Sequence, residues 1–390
     1  MKNLRGILGL LVVMFCAACA SAQTDVVVGA ERLTEYLPLL KGKNVALYSN
    51  HTGMVGDRHT LDVLLDSGIN VVTIFSPEHG FRGDADAGEH VGSSVDAKTG
   101  VSITSLYDGK RKGVPQEIMD SIDIILTDIQ DVGLRYYTYY ATMIKLMEEA
   151  KNNGKEFMIL DRPNPLGMYV DGPILDMTYR SGVGRLPIPI VHGMTLGELA
   201  KMANGEGWLE GGGEVPLTVI TCENYEHPTR YRLPIAPSPN LRNMTAIYLY
   251  PSTCYFEGTP VSLGRGTEFP FLVYGHPGMK NRDFQFTPVS TPGAKHPPLE
   301  NQLCYGVSLQ DVSDDDAIAQ GVNLAYVIDA YNDLGMGDEF FTKFFELLVG
   351  RGDIRKMIED GMTADQIKVT WASDVEKFKE QRRPYLLYNE

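Results

Sequence analysis

The chain of 390 residues is short of cysteine and tryptophan, with five of the first and two of the second. Cys16 and Cys19 fall in an apolar N-terminal stretch, leaving Cys222, Cys254 and Cys304, widely spaced and odd in number. That pattern argues against a disulfide framework or a cysteine zinc site, although one accidental bridge is compatible with it. Basic residues are scarce too, 35 Lys and Arg against 50 Asp and Glu for a net charge of −15, and they form no block. Nucleic acid is therefore not an expected partner. Beyond the N-terminus no run is apolar enough to span a bilayer. Also missing are a Gly-Lys-Ser/Thr phosphate loop, a Gly-x-Gly-x-x-Gly after the first strand and a Gly-x-Ser-x-Gly elbow, so those nucleotide and serine-hydrolase chemistries lack their residues. His51, His79 and His192 with Asp128 have no His-x-His or His-Glu-x-x-His spacing, so neither metal nor cofactor is expected.

What is present begins with Lys2 and Arg5, an apolar run over 7–20 and Ala20-Ser21-Ala22, the order of a secretory signal over 1–22. Export to the periplasm follows; Cys16-Ala17-Ala18-Cys19 gives a lipid anchor at Cys19 as the lesser reading. β-rich runs at 44–48, 71–75, 122–126 and 157–160 alternate with helix-like segments at 60–67 and 139–152. This is the rhythm of a parallel sheet. Thr195 with Glu198 three residues on predicts a capped helix. Pro237-Ser238-Pro239-Asn240 lies in a Pro- and Asn-rich seam, followed by short β-like runs and helical segments over 314–334, 338–348 and 363–382. The expectation is an α/β fold: a parallel-sheet domain over 23–240 and a second, smaller α+β domain over 241–390, with the boundary anywhere from about 235 to 280.

Polar loops follow the predicted strands: Ser49-Asn50-His51-Thr52-Gly53, Ser76-Pro77-Glu78-His79-Gly80-Phe81-Arg82-Gly83, Asp128-Ile129-Gln130-Asp131 and Asp161-Arg162-Pro163-Asn164-Pro165. In an open α/β sheet such loops share the ligand-binding edge. A half-buried Glu78 would have the raised pKa a general acid needs, while a salt bridge to Arg82 is the structural alternative. Asp128 and Asp131 are second-carboxylate candidates, Asp128 as a helix cap being the alternative. Among the following tyrosines, Tyr136 and Tyr137 are the better sugar-stacking candidates. Asp161 either helps position a ligand or pairs with Arg162. His192 is more often a structural hydrogen bonder than a ligand contact. Gly264-Arg265-Gly266 could present a guanidinium to an anion.

Taken together, these loops resemble the exo-acting β-N-acetylmuramidases of the NamZ type, a likeness that extends through Asn240, Phe256-Glu257-Gly258-Thr259 and Gly264-Arg265-Gly266-Thr267. The resemblance implies that the first domain is a Rossmann-like catalytic domain and the second a smaller auxiliary one, and that the protein removes non-reducing-end N-acetylmuramic acid from peptidoglycan-derived disaccharides or muropeptides. It also implies that Glu78, in Ser-Pro-Glu-His-Gly, is the catalytic residue. Asp128, Asp131 and Glu257 remain partner candidates by chemistry. Muramic acid carries a lactyl carboxylate, for which Arg82, Arg135 and Arg265 form the expected clamp. Asn50, His51, Gln130 and Asn164 would orient hydroxyls and acetamido, with substrate between the domains. A periplasmic sugar-binding protein and a metal-dependent cell-wall amidase or esterase are the rival classes. The sequence carries no signal of oligomeric state.

Overall fold

The computed structural model describes residues 25–77, 81, 94–106 and 113–390. Glu78, His79 and Arg82 lie outside the described residues, as does the signal over 1–22. The sheet strands in chain order are β1 (Asn44–Ser49), β4 (Asn70–Ser76), β5 (Ser94–Val95), β6 (Ser102–Ser105), β7 (Ile124–Asp128), β8 (Glu156–Leu160) and β9 (Leu217–Ile220), with a small hairpin of β2 (Met54–Val55) and β3 (Arg58–His59) after β1. The sheet order is β5-β6-β4-β1-β7-β8-β9, parallel throughout except for β5 against β6. This is the α/β fold that the alternating runs imply.

Alternation along the strands sends neighbouring side chains to opposite faces. On β1, Val45 and Leu47 join one apolar cluster with Tyr36 and Leu40 of α1 (Leu33–Leu40) and Leu61 and Leu64 of α2 (Thr60–Asp66). Ala46 and Tyr48 join the other, with Met119 of α3 (Gln116–Ser121), Ile144 of α4 (Tyr139–Asn152) and Leu199 of α5 (Leu196–Gly205). Helices therefore cover both faces, and the open edge at the strands' carboxyl ends is where loops can meet. The Thr195 hydroxyl accepts from the Glu198 N–H at 3.3 Å and Glu198 Oε2 accepts from the Thr195 N–H at 2.9 Å, closing the capping box of α5.

The smaller second domain holds a three-stranded antiparallel sheet, β10 (Val273–His276), β11 (Phe284–Phe286) and β12 (Cys304–Ser308), in the order β10-β12-β11. Its helices are α6 (Met244–Thr253), α7 (Asp314–Gln320), α8 (Ala325–Leu334), α9 (Lys343–Val349), α10 (Asp353–Glu359) and α11 (Ala364–Arg382). The short β-like runs after the seam are these three strands, but a helix precedes them: Asn243 caps α6 by accepting from the Ala246 N–H at 2.8 Å, and the helix is buried nearly all round, so its apolar residues show no stripe. The expected helix over 314–334 breaks at Gly321 (φ +61), where an added Cβ would lie 2.4 Å from Asp171 Oδ2. Cys222, Cys254 and Cys304 are buried free thiols. No helix of the described residues is long and apolar enough to cross a membrane.

Candidate active site

Register sets the edge. Tyr48 lies level with Phe75 and Thr127, Ser49 with Asp128, and Thr127 with Ile159, so the loops after β4, β1, β7 and β8 leave the sheet side by side. Glu78 follows the last residue of β4 by two positions. The buried Thr52 hydroxyl stitches two of these loops, accepting from the Gln130 N–H at 2.9 Å and donating to Asn50 Oδ1 at 2.6 Å. Gln130 Nε2 donates to the carbonyls of Asp131 and Pro163, both at 2.8 Å, which binds in the third. Asn164 Nδ2 donates to the Met194 carbonyl at 2.9 Å. Gly133, at φ +79, packs so closely against Asn164 that an added Cβ would stand 2.1 Å from Oδ1. These polar residues fix the shape of the edge through buried hydrogen bonds.

The seam closes over the same edge. His51 Nε2 donates to the Ala236 carbonyl at 2.8 Å, and the hydroxyls of Tyr137 and Tyr139 donate to the Pro237 carbonyl at 2.9 and 3.1 Å. Asn50 Nδ2 donates to the Tyr139 oxygen at 3.0 Å. Asn240 Nδ2 donates to the Gly293 carbonyl at 2.8 Å, anchoring the seam to the second domain. An open groove of about 530 Å³ runs past His51, between Met54, Arg58, His59 and Lys98.

The carboxylates divide by what they hold. Asp128 is fully buried; Oδ1 receives Arg162 Nε at 2.6 Å, and Oδ2 receives Arg162 Nη2 at 3.1 Å and the Thr60 hydroxyl. It neither caps a helix nor keeps a free oxygen, and Arg162 donates to it through Nε and Nη2 and to the Met54 carbonyl through Nη2 at 2.7 Å. Asp161, also fully buried, accepts from the Thr195 hydroxyl, the Tyr388 hydroxyl and the Gly197 N–H at 2.6, 2.7 and 2.9 Å. It tethers the start of α5 and the C-terminal segment rather than pairing with Arg162, and burial pushes its carboxyl up to about 6.

Asp131 differs. Its Oδ1 accepts from the Gly133 N–H at 2.8 Å, while among the described residues Oδ2 is buried without a hydrogen bond of ordinary geometry and only the backbone N–H groups of Val132 and Tyr140 face the carboxylate. Burial pushes this carboxyl up to about 7. A cavity of about 10 Å³, room for about one water, is lined by Gln130, Asp131, Arg162, Asn164 and Thr195. The native carboxyl holds its proton to higher pH than the unfolded one, so stability is lost as pH rises from about 4 to about 7. Asp131→Asn keeps the acceptor for Gly133 and abolishes the charge. Its unfolding free energy relative to the parent should therefore rise across that window, by at most ~4 kcal/mol at pH 8 and with convergence near pH 4, and its melting temperature should follow. A difference independent of pH would refute the assignment.

Several expected ligand contacts are structural here. Arg135 is fully buried: Nη1 donates to the carbonyls of Pro173 and Ile188 at 2.9 and 3.2 Å, and Nη2 to those of Leu348 and Val349 at 2.8 and 2.7 Å. It satisfies the last carbonyls of α9 and joins the two domains, with no fork left for a lactyl group. Tyr136 is buried with its hydroxyl on the Tyr250 carbonyl at 3.0 Å, and Tyr137 is only 6% exposed, so neither presents a face for a sugar to stack on in this structure. His192 is buried, its Nδ1 accepts from the Met194 N–H at 3.2 Å, and burial, aided by the charge of Arg382, pushes it down to about 3. It is a neutral structural imidazole. Arg265 and Glu257 form a partly open ion pair at 2.6 Å.

Comparison with known proteins fits this architecture. The N-terminal domain description of the exo-β-N-acetylmuramidase NamZ matches residues 45–245, and its C-terminal domain description matches 248–388. The chain belongs to the NamZ family. It is 39% identical over 381 residues, 91% of this chain and 89% of the other, to the peptidoglycan β-N-acetylmuramidase NamZ of Bacillus subtilis strain 168. Two crystal structures of DUF1343 family proteins from Bacteroides fragilis NCTC 9343 share the fold. One has a TM-score of 0.89 at 59% identity, covering 94% of this chain and all of that one; the other has 0.79 at 28%, covering 93% and 99%. NamZ-family membership makes the chain a glycoside hydrolase.

The sequence reading missed Thr60, Thr195, Tyr388 and the carbonyls of Ala236 and Pro237 as partners of the site residues. Only the Thr195 capping box gave a local signal, and that signal pointed to helix start rather than to Asp161.

Proposed function

We propose that this protein is an exo-acting β-N-acetylmuramidase that removes non-reducing-end N-acetylmuramic acid from peptidoglycan fragments, with Glu78 as the general acid. The observation that carries this reading is the 39% identity across 91% of the chain to a curated peptidoglycan β-N-acetylmuramidase. Supporting it is a strand edge built for a ligand, with Glu78 two residues beyond β4. Glu78 would give its proton to the glycosidic oxygen as the bond from C1 breaks, and water would supply the hydroxyl that C1 receives.

Asp131 is the second carboxylate in this reading. Asp128 has both oxygens committed to Arg162 and Thr60, and Glu257 is paired with Arg265, while among the described residues Asp131 has no charged partner and its Oδ2 makes no hydrogen bond of ordinary geometry. A residue kept at a cost in stability fits a functional role. Asp131→Asn should thus lose activity, by roughly 100-fold, while gaining stability at pH 8. The protein would act in the periplasm after removal of 1–22, with lipid attachment at Cys19 as the lesser alternative.

The test is turnover of 4-nitrophenyl β-N-acetylmuramide against the matching β-N-acetylglucosaminide. Hydrolysis of the first with little of the second is the expected result. Failure to hydrolyse the first, at any pH from 5 to 8, would refute the reading.

A further inference from the structure

An acidic enzyme acting on muramic acid must neutralise the lactyl carboxylate locally, and Arg135 and Arg162 are each held by fully buried partners, their side chains less than a tenth exposed. Arg135 serves four carbonyls and Arg162 serves Asp128. Arg265 is different in three respects.

Its backbone is pinned. Gly264 and Gly266 take φ of +86 and +78, and an added Cβ would lie 2.6 Å from a Val273 methyl at the first and 2.5 Å from the Val289 carbonyl at the second. Only glycine on both sides lets the turn sit there. The guanidinium is also held: its carbon lies 5.1 Å from the centroid of Phe271, and Nε and Nη2 donate to the same oxygen, Glu257 Oε1, at 3.2 and 2.6 Å. Its outer edge is uncommitted. A guanidinium has five N–H donors, so two on Nη1 and one on Nη2 remain, and neither Nη1 nor Glu257 Oε2 has a hydrogen-bond partner among the described residues. The side chain is 18% exposed.

Its position connects to the edge by packed rings. Phe271 lies 4.7 Å from Tyr250, Tyr250 lies 6.3 Å from Tyr137, and Tyr137 donates to Pro237 in the seam. The Nη1/Nη2 edge has the spacing of a carboxylate's two oxygens.

We propose that Arg265, oriented by Glu257 and Phe271, binds the lactyl carboxylate and is the residue that selects muramic acid over glucosamine. This rests on the activity proposed above. Glu257 is then a positioning residue that holds the inner edge of the guanidinium while the outer edge meets substrate.

The experiment compares 4-nitrophenyl β-N-acetylmuramide with its lactyl carboxamide, which has the same shape without the charge, as substrates of the parent protein, Arg265→Gln and Arg265→Lys. The parent should favour the acid through KM by about 10- to 100-fold. Arg265→Gln should bring that preference to within about 3-fold of unity, chiefly through KM rather than kcat, and Arg265→Lys should retain a reduced preference because it keeps charge without the fork. An undiminished preference in Arg265→Gln overturns the proposal. If that variant does not fold, Arg265→Lys decides: a reduced ratio supports the clamp and an unchanged ratio overturns it. A parent protein that hydrolyses acid and amide equally also overturns it, whereas one that hydrolyses neither refutes the activity itself.

Discussion

Asp128→Ala should lower stability by roughly 3–5 kcal/mol, the cost of leaving a buried cation without its partner. Arg162, 8% exposed, would retain only the Met54 carbonyl, and the Thr60 hydroxyl would lose its acceptor. The melting temperature should fall by about 4–7 °C on the usual relation between free energy and unfolding entropy. Replacing both partners, Asp128→Leu with Arg162→Met, should recover most of that loss, because an apolar pair has no desolvation cost. The same substitutions separate structure from chemistry. A catalytic Asp128 predicts that Asp128→Asn abolishes turnover with stability intact; a structural Asp128 predicts that activity falls only as far as the folded fraction does. Thermal unfolding monitored by circular dichroism, alongside turnover at 25 °C, distinguishes these outcomes.

What could be read from the sequence was what local physics determines. α4 spans Tyr139–Asn152 as its apolar face at Met143, Leu146 and Met147 implies, and Thr195 with Glu198 announces α5. Both signals lie within a few residues of what they specify. Side-chain assignments failed where the partner is distant or has no side-chain signature. Asp128 ends one strand and Arg162 lies just past the end of its neighbour, 34 residues apart, and Asp161 beside Arg162 made the wrong pair look natural. Arg135 meets the Leu348 carbonyl 213 residues away, and a backbone carbonyl leaves no mark in a sequence. Its charge next to a run of tyrosines looked like a sugar site; burial turned both into an interdomain contact. α6 gave no signal for the opposite reason, since a helix buried on nearly every side lacks the polar face by which helices are recognised.

The central claim concerns Glu78, and its substitution has the other large expected effect. Glutamine matches glutamate in shape and can still hydrogen-bond, but cannot deliver a proton to the departing oxygen. Glu78→Gln should therefore reduce kcat by about 10²- to 10⁴-fold with a much smaller change in KM. The loss should be greater on a disaccharide, whose alcohol leaving group needs the proton, than on a nitrophenyl glycoside, whose phenolate departs with little help. The most direct measurement is the release of free N-acetylmuramic acid from the disaccharide of N-acetylmuramic acid β-linked to N-acetylglucosamine, by the parent protein and by folded Glu78→Gln. The account predicts stoichiometric release by the parent and at least ~100-fold slower release by the variant. Release by the variant within about 3-fold of the parent, with melting temperature unchanged, would contradict it.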